Sequence, residues 1–422
     1  MSYGLTHILD SRDRQFLVAI FNRATYSRCK ILIEYLNSVQ NWNVTIGVSS
    51  SLLMHEFGEG IKYIQKENKK VKFELLPIDK FESNGRGITH ATAAIARSFA
   101  DLFSENHYDA CFVVGDRFET MGVALAAAFA NVPLAHVQGG EVTGNIDEKI
   151  RHAVTKLSDY HFAATALSKR YILAMGEEKH RVFHTGCPSI DVIQKARIKR
   201  HRSKEKYIIC QFHPHTKEQD KAYEQTEVVL DSVLDFCNSE GFRCYWYFPN
   251  PDPGRNEIIK LLEDRHREYK HCLTKAINRP PEDFLQDLAG CAFIIGNSSS
   301  GIREASYIGV PAINVGDRQS IRERSGNVID CDFNMPEIIK AMHHQLHTFK
   351  YPKSILYGDG RASQNIAQAI LGIDFSIKDH LTYPLLFQYQ PQHFGEARIE
   401  FHRKHRPKPA KTKNATCIAS AV

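Results

Sequence analysis

No apolar run in this sequence approaches the roughly 20 residues a bilayer-spanning helix needs, so membrane insertion is not expected. The first fifteen residues lack the continuous apolar core of a secretory signal and carry Asp10, Arg12, Asp13 and Arg14 instead, which makes a cytoplasmic protein the expectation. No C-x-x-C pair and no zinc-like Cys/His spacing occurs among the ten cysteines, which lie scattered from Cys29 to Cys417. Buried free thiols in a reducing compartment account for them, and nothing in the sequence calls for a metal or an organic cofactor. Acids are missing from residues 403–413, where Arg403, Lys404, Arg406, Lys408, Lys411 and Lys413 stand alone. The formal net charge of +6 equals those six cations, so the remainder is neutral. A basic end with Pro407 and Pro409 reads as a solvated tail, which excludes a nucleic-acid recognition surface from the expectations.

What is present is a globular composition, 43% hydrophobic and 24% charged, on a chain of 422 residues that is too long for one ordinary core. Short apolar runs at 16–20, 43–48, 71–76, 110–114 and 133–137 predict strands, and helical spacing at 27–39, 88–103 and 120–130 places helices between them. Residues 196–206 are basic and poor in apolar groups, as a linker would be. Strand signals resume at 207–211, 243–248, 292–295 and 311–315, with helices at 224–239 and 281–288. This alternation predicts an α/β protein of two doubly wound Rossmann-like domains facing a cleft, with ligand between the carboxyl ends of their strands. The expected division is an N-terminal extension 1–15, a first domain 16–195, the linker 196–206 and a second domain 207–375. A segment 376–402 that packs back on the fold and the basic tail 403–422 follow.

Functional groups gather at the predicted strand ends. The run Phe293-Ile294-Ile295-Gly296-Asn297-Ser298-Ser299-Ser300-Gly301-Ile302-Arg303-Glu304 reads as a strand entering a helix through small polar residues. Such an opening offers unpaired N–H groups to phosphate, and Glu304, one turn in, has the reach for ribose hydroxyls. Arg23 and Ser27 follow the first strand, and Asp116 and Arg117 the fourth. Gln138-Gly139-Gly140-Glu141 follows the fifth, with Asp147, Glu148, Arg151 and His152 close behind. In the second half His213, Arg318 and Arg322 occupy equivalent positions, with the charge or hydrogen-bonding capacity to hold a diphosphate.

The succession Asn22-Arg23, Gly115-Asp116-Arg117-Phe118-Glu119, Gly139-Gly140-Glu141-Val142, Asp147-Glu148-Lys149-Ile150-Arg151-His152 and Gly296-Asn297-Ser298-Ser299 resembles the hydrolysing UDP-N-acetylglucosamine 2-epimerases. The likeness runs from about residue 16 to 373. It takes in Thr185-Gly186-Cys187-Pro188-Ser189, Gly316-Asp317-Arg318-Gln319 and Tyr357-Gly358-Asp359-Gly360. It implies a glycosyltransferase-B-like fold, a homo-oligomer (dimer or tetramer), and conversion of UDP-N-acetylglucosamine to UDP and N-acetylmannosamine for sialic-acid synthesis. Some bacterial relatives act on a diacetamido trideoxy sugar nucleotide instead. By this resemblance Arg23, Ser27, Arg117, His213, Ser298, Ser299, Glu304 and Arg318 contact UDP, and Asp116, Glu141 and Asp147 are the acid/base groups. Gln138 departs from the pattern, standing where several relatives have a catalytic glutamate. A nonhydrolysing epimerase and a UDP-sugar-binding protein without turnover are the alternatives.

Overall fold

The structure is a computed structural model that describes residues 9–378 apart from 56–59, 145, 216–217, 251 and 277–278. The expected tail 403–422 and most of the segment 376–402 lie outside the described residues.

The first sheet is built from β1 (Leu9–Ile20), β2 (Gln40–Ser49), β3 (Lys72–Leu76), β4 (Ala110–Val114), β5 (Leu134–Val137), β6 (Tyr160–Ala163) and β7 (Val182–His184), in the order β3-β2-β1-β4-β5-β6-β7. The second contains β8 (Tyr207–Gln211), β9 (Arg243–Tyr247), β10 (Leu273–Ala276), β11 (Ile294–Gly296), β12 (Ala312–Val315) and β13 (Val328–Cys331), in the order β10-β9-β8-β11-β12-β13. Every pairing is parallel, so each strand returns through a crossover and both sheet faces are covered. That is why the central strands read as unbroken apolar runs: Phe16 to Ile20 and Ala110 to Val113 are fully buried. In both sheets the strand order reverses beside the first strand, between β1 and β4 and between β8 and β11. Crevices at such reversals are where doubly wound folds bind ligands.

The two expected domains are therefore present, with shifted edges. Strand β1 begins at Leu9, so residues 9–15 belong to the sheet rather than to an N-terminal extension. They are tied down: Arg14 donates to the Ile373 carbonyl at 2.5 Å and the Gln15 amide to Asp109 at 2.6 Å. The linker 196–206 is packed as well, since Ile198 is buried and Arg200 donates to the carbonyls of Ala289, Cys291 and Ala292. The second domain yields its last helix to the first. Helix Ala362–Leu371 crosses back, and Ile366 and Ile370 join Phe16, Leu32 and Phe112 in one core. At its first turn Asp191 of the N-terminal lobe accepts the amides of Ala362 and Ser363. The Ser376 carbonyl then accepts from Arg181, and Lys378 donates to Glu177.

Because Ile366 on this returning helix is fully buried in the core of the first domain, Ile366→Ala is expected to cost about 3 kcal/mol, the middle of the range for aliphatic truncation. A drop in the urea midpoint at unchanged slope would record it; a change below about 0.5 kcal/mol would contradict the crossing.

Candidate active site

In the N-terminal lobe the site starts where β1 ends. Asn22 accepts the Thr25 amide at 2.8 Å and caps helix Arg23–Ser38, so Arg23 is its first residue rather than part of a loop. Arg28, one turn further, faces the same cleft. After β4 the chain turns at Gly115, whose φ of +78° suits glycine, and the turn presents Asp116. Behind it the fully buried His136 lies 2.8 Å from the Gly115 carbonyl and 3.2 Å from Thr155 Oγ1. Burial drives its pKa down to about 3, so a neutral ring donates to the carbonyl and fixes this loop. A second loop precedes helix Ile146–Leu157: Glu148 accepts the amides of Thr143 and Gly144 at 2.6 Å each, which orients the first turn and with it Asp147.

The C-terminal lobe supplies the opposing wall. Asn297 follows Gly296 and exchanges two 2.8 Å hydrogen bonds with the backbone of His213, joining the ends of β8 and β11. Its carbonyl accepts from Arg318 at 3.0 Å and Gln319 at 3.1 Å. Burial, then Arg318, lowers the His213 pKa to about 3. The neutral ring takes a weak bond from the Asn250 amide at Nδ1, 3.4 Å, which leaves the proton on Nε2. The expected phosphate-binding helix is reduced to a single 3-10 turn, Ser299–Gly301, and a five-residue helix, Glu304–Ile308. Glu304 thus opens the helix instead of lying a turn inside it. So short a helix has little macrodipole, and charge compensation falls to side chains.

Between these walls lies an open cleft of about 1780 Å³, which shares Arg23, Arg28, Gln211 and Tyr247 with a smaller open chamber of about 690 Å³. Seven arginines (23, 28, 117, 255, 303, 318 and 322) and only two carboxylates, Asp116 and Asp147, line the larger cavity. This excess suits a ligand carrying two or three negative charges. The smaller chamber is walled by Ser27, Arg279, Phe284, Leu285, Ser300 and Glu304, an apolar shelf beside a carboxylate and hydroxyls. The lobes are held together across the cleft by ion pairs. Arg117 reaches Asp252 at 3.1 Å, Arg318 reaches Asp147 at 3.4 Å, and Lys30 bridges Glu67 and Glu282.

The two cleft carboxyls are driven apart electrostatically. Both pay for burial, but Arg151, hydrogen-bonded to Asp116, with Arg28 and Arg322 nearby, holds Asp116 far below the usual carboxylate range. Burial and then the Asp116 charge lift Asp147 to about 6. One anionic and one protonatable carboxyl in a single cleft is an arrangement able to take a proton at one atom and give one at another.

Of the residues expected from sequence, Arg23, Asp116, Arg117, Asp147, His213, Ser298, Ser299 and Arg318 all line the larger cavity. Ser27 and Glu304 line the adjoining chamber. Arg117 is engaged with Glu119 at 2.9 Å as well as Asp252. Glu141 does not line the cleft; it is buried against Arg303 and Arg322. Gln138 does line it, with φ at +66° and its amide donating to Cys187. Sequence reading gave no role to Arg28, Asn250, Arg255, Arg303 or Gln319, although Arg303 and Gln319 stand inside the runs it singled out. Arg28 was discoverable: its position four residues after Ala24, just inside the capped turn, puts it on the cleft-facing side of the helix.

The family model described as UDP-N-acetylglucosamine 2-epimerase matches residues 43–371. The chain is 29% identical over 366 residues to the UDP-N,N'-diacetylbacillosamine 2-epimerase (hydrolyzing) of Legionella pneumophila, covering 85% of this chain and 95% of that one. It is 30% identical over 339 residues to the polysialic acid biosynthesis protein P7 of Escherichia coli, covering 78% and 85%. Among solved structures, the UDP-GlcNAc 2-epimerase of Neisseria meningitidis bound to UDP-GlcNAc superposes with a TM-score of 0.70 at 19% identity, over 85% of this chain and 100% of that one, a likeness of fold. With the glycosyltransferase-B-like pair of domains and the family match over most of its length, the chain belongs to the UDP-N-acetylglucosamine 2-epimerase family.

Proposed function

We propose that the protein is a hydrolysing 2-epimerase that converts UDP-N-acetylglucosamine and water to N-acetylmannosamine and UDP, feeding sialic-acid-type sugar synthesis. The observation that carries this reading is the pairing of Asp116 and Asp147, oppositely shifted, on one lobe, facing a cluster of arginines, His213 and Ser298–Ser300 on the other. Leaving-group stabilisation comes from Arg23, Arg28, Arg318 and the Nε2–H of His213, donors aimed at the diphosphate before it departs from C1. Asp116, anionic, opposes the positive charge that builds on the sugar and takes the C2 proton, giving an unsaturated glycal. Asp147 delivers a proton to C2 from the opposite ring face while water adds at C1, which inverts C2. The uridine fits the smaller chamber, with its ribose hydroxyls donating to Glu304, whose Oε2 is buried without a partner.

A diacetamido trideoxy sugar linked to UDP is a second substrate reading, favoured by the 29% identity to the Legionella pneumophila diacetylbacillosamine enzyme over nearly its whole length. The chemistry at C1 and C2 is the same for both. Incubation with each sugar nucleotide in heavy water decides: release of UDP with one deuteron at C2 of a free, inverted sugar is expected. Retention of the UDP linkage in the product would identify a nonhydrolysing epimerase, and UDP binding with neither substrate consumed would leave a sugar-nucleotide-binding protein.

A further inference from the structure

Glu141 follows β5 on the N-terminal lobe, and its carboxylate turns away from the cleft into the seam between lobes. Oε2 lies 2.6 Å from Arg303 Nη2 and 2.5 Å from Arg322 Nη1, both from the C-terminal lobe. The Glu141 carbonyl accepts from Arg151, whose other terminal nitrogen holds Asp116. All of the side chains in this cluster except that of Asp116 are at most 4% exposed. Two guanidiniums meet one carboxylate, so one positive charge is left over inside the seam. Both residues also line the cleft, and Arg303 Nε and Nη1 and Arg322 Nε and Nη1 are buried without a hydrogen-bond partner, Arg322 Nη1 meeting Glu141 as an ion pair only. A buried charged donor forfeits its hydration without return unless an acceptor meets it, and the cleft is the side from which an acceptor can come.

We propose that Glu141 is a positioning residue rather than a proton carrier: it bridges Arg303 and Arg322 across the lobes and so aims their free N–H groups at an oxygen of the bound nucleotide sugar. The identity of that ligand rests on the epimerase reading; the charge cluster does not. Glu141 is badly placed for proton transfer, because it does not line the cleft as Asp116 and Asp147 do and its Oε2 is shared by Arg303 and Arg322 in the seam. The same clasp couples closure of the lobes to assembly of the sugar end, since Arg303 and Arg322 reach Glu141 only when the lobes meet.

The test compares Glu141→Gln, Arg322→Met and the double variant with the parent protein, by thermal melting and by calorimetry with UDP and with UDP-N-acetylglucosamine. Removing the carboxylate alone strands two guanidiniums, so Tm is expected to fall by about 5 °C or more and affinity for the nucleotide sugar about tenfold or more. Removing Arg322 as well returns the seam to the parent's single surplus charge, and the double variant is expected to regain most of the lost Tm. Affinity lost for UDP itself places the acceptor oxygen on the diphosphate; affinity lost only for the sugar nucleotide places it on the sugar. A double variant that melts no higher than Glu141→Gln overturns the proposal, including where Glu141→Gln fails to fold. So does a Glu141→Gln protein with unchanged Tm and affinity whose turnover is abolished. If the parent consumes neither sugar nucleotide, the epimerase reading fails while the melting comparison still judges the clasp.

Discussion

Asp147→Asn is expected to lower kcat by about a thousandfold, the middle of the range for loss of a general acid or base, while UDP binds as tightly as before or tighter. The asparagine fills the same space at the first turn of its helix, so the loop held by Glu148 is undisturbed. What is lost is the exchangeable proton, and what is gained is an Arg318 freed from its partner at 3.4 Å and available to phosphate. The pH dependence fixes the sign. Burial and the Asp116 charge raise Asp147 to about 6 in the folded protein. A donor works in its protonated form, so kcat/KM is expected to be level below pH 6 and to fall about tenfold per pH unit above it. A bound diphosphate adds negative charge beside the carboxyl and moves the corresponding limb of kcat to higher pH. Asp147→Asn should erase the limb; its persistence in the variant would assign the titration to another group.

Gly296→Ala carries the second large effect, on folding and binding together. Gly296 has φ of +133°, a region closed to residues with a side chain, and a Cβ there would stand 2.1 Å from the Gln211 carbonyl oxygen. That carbonyl belongs to β8, the central strand, so neither backbone can yield without breaking the β8–β11 pairing. A cost of about 3 kcal/mol or more is expected from strain and clash combined. Because Asn297, which ties His213 and Arg318 in place, comes next, UDP affinity should fall by about a hundredfold even in the fraction that folds. Calorimetry with UDP beside a denaturant melt separates the two losses, and an alanine variant with parental values for both would contradict the close approach.

The parts of this molecule legible in its sequence are those with a strong local signal. Strands 110–114 and 207–211 were bounded correctly because a parallel strand covered on both faces reads as a near-continuous apolar run, broken in the second only at its last residue, Gln211. Strands β6, β7, β10 and β13 went unread: each has only three or four residues, and His161, His184, Lys275 and Asp330 interrupt the apolar pattern. His161 is nonetheless fully buried, its Nε2 paired with Glu177 at 3.2 Å, a partner no local pattern encodes. Cleft residues at strand ends were accessible because topology alone brings them together. Glu141 was misplaced for the complementary reason, since the arginines that turn it inward come from the other lobe, 162 and 181 residues away. The return of helix Ala362–Leu371 to the first domain was equally hidden, as its apolar face fits either core.

The central claim is that the two lobes grip one diphosphate between them, and a crystal structure of the protein with UDP tests it most directly. The account predicts both phosphates between Arg23 and Arg28 on one side and Ser298, Ser299 and Ser300 on the other, with His213 Nε2 donating to a phosphate oxygen and Glu304 on the ribose. A UDP bound elsewhere, or held by residues of one lobe with Arg23 and Arg28 out of reach of its phosphates, would contradict it.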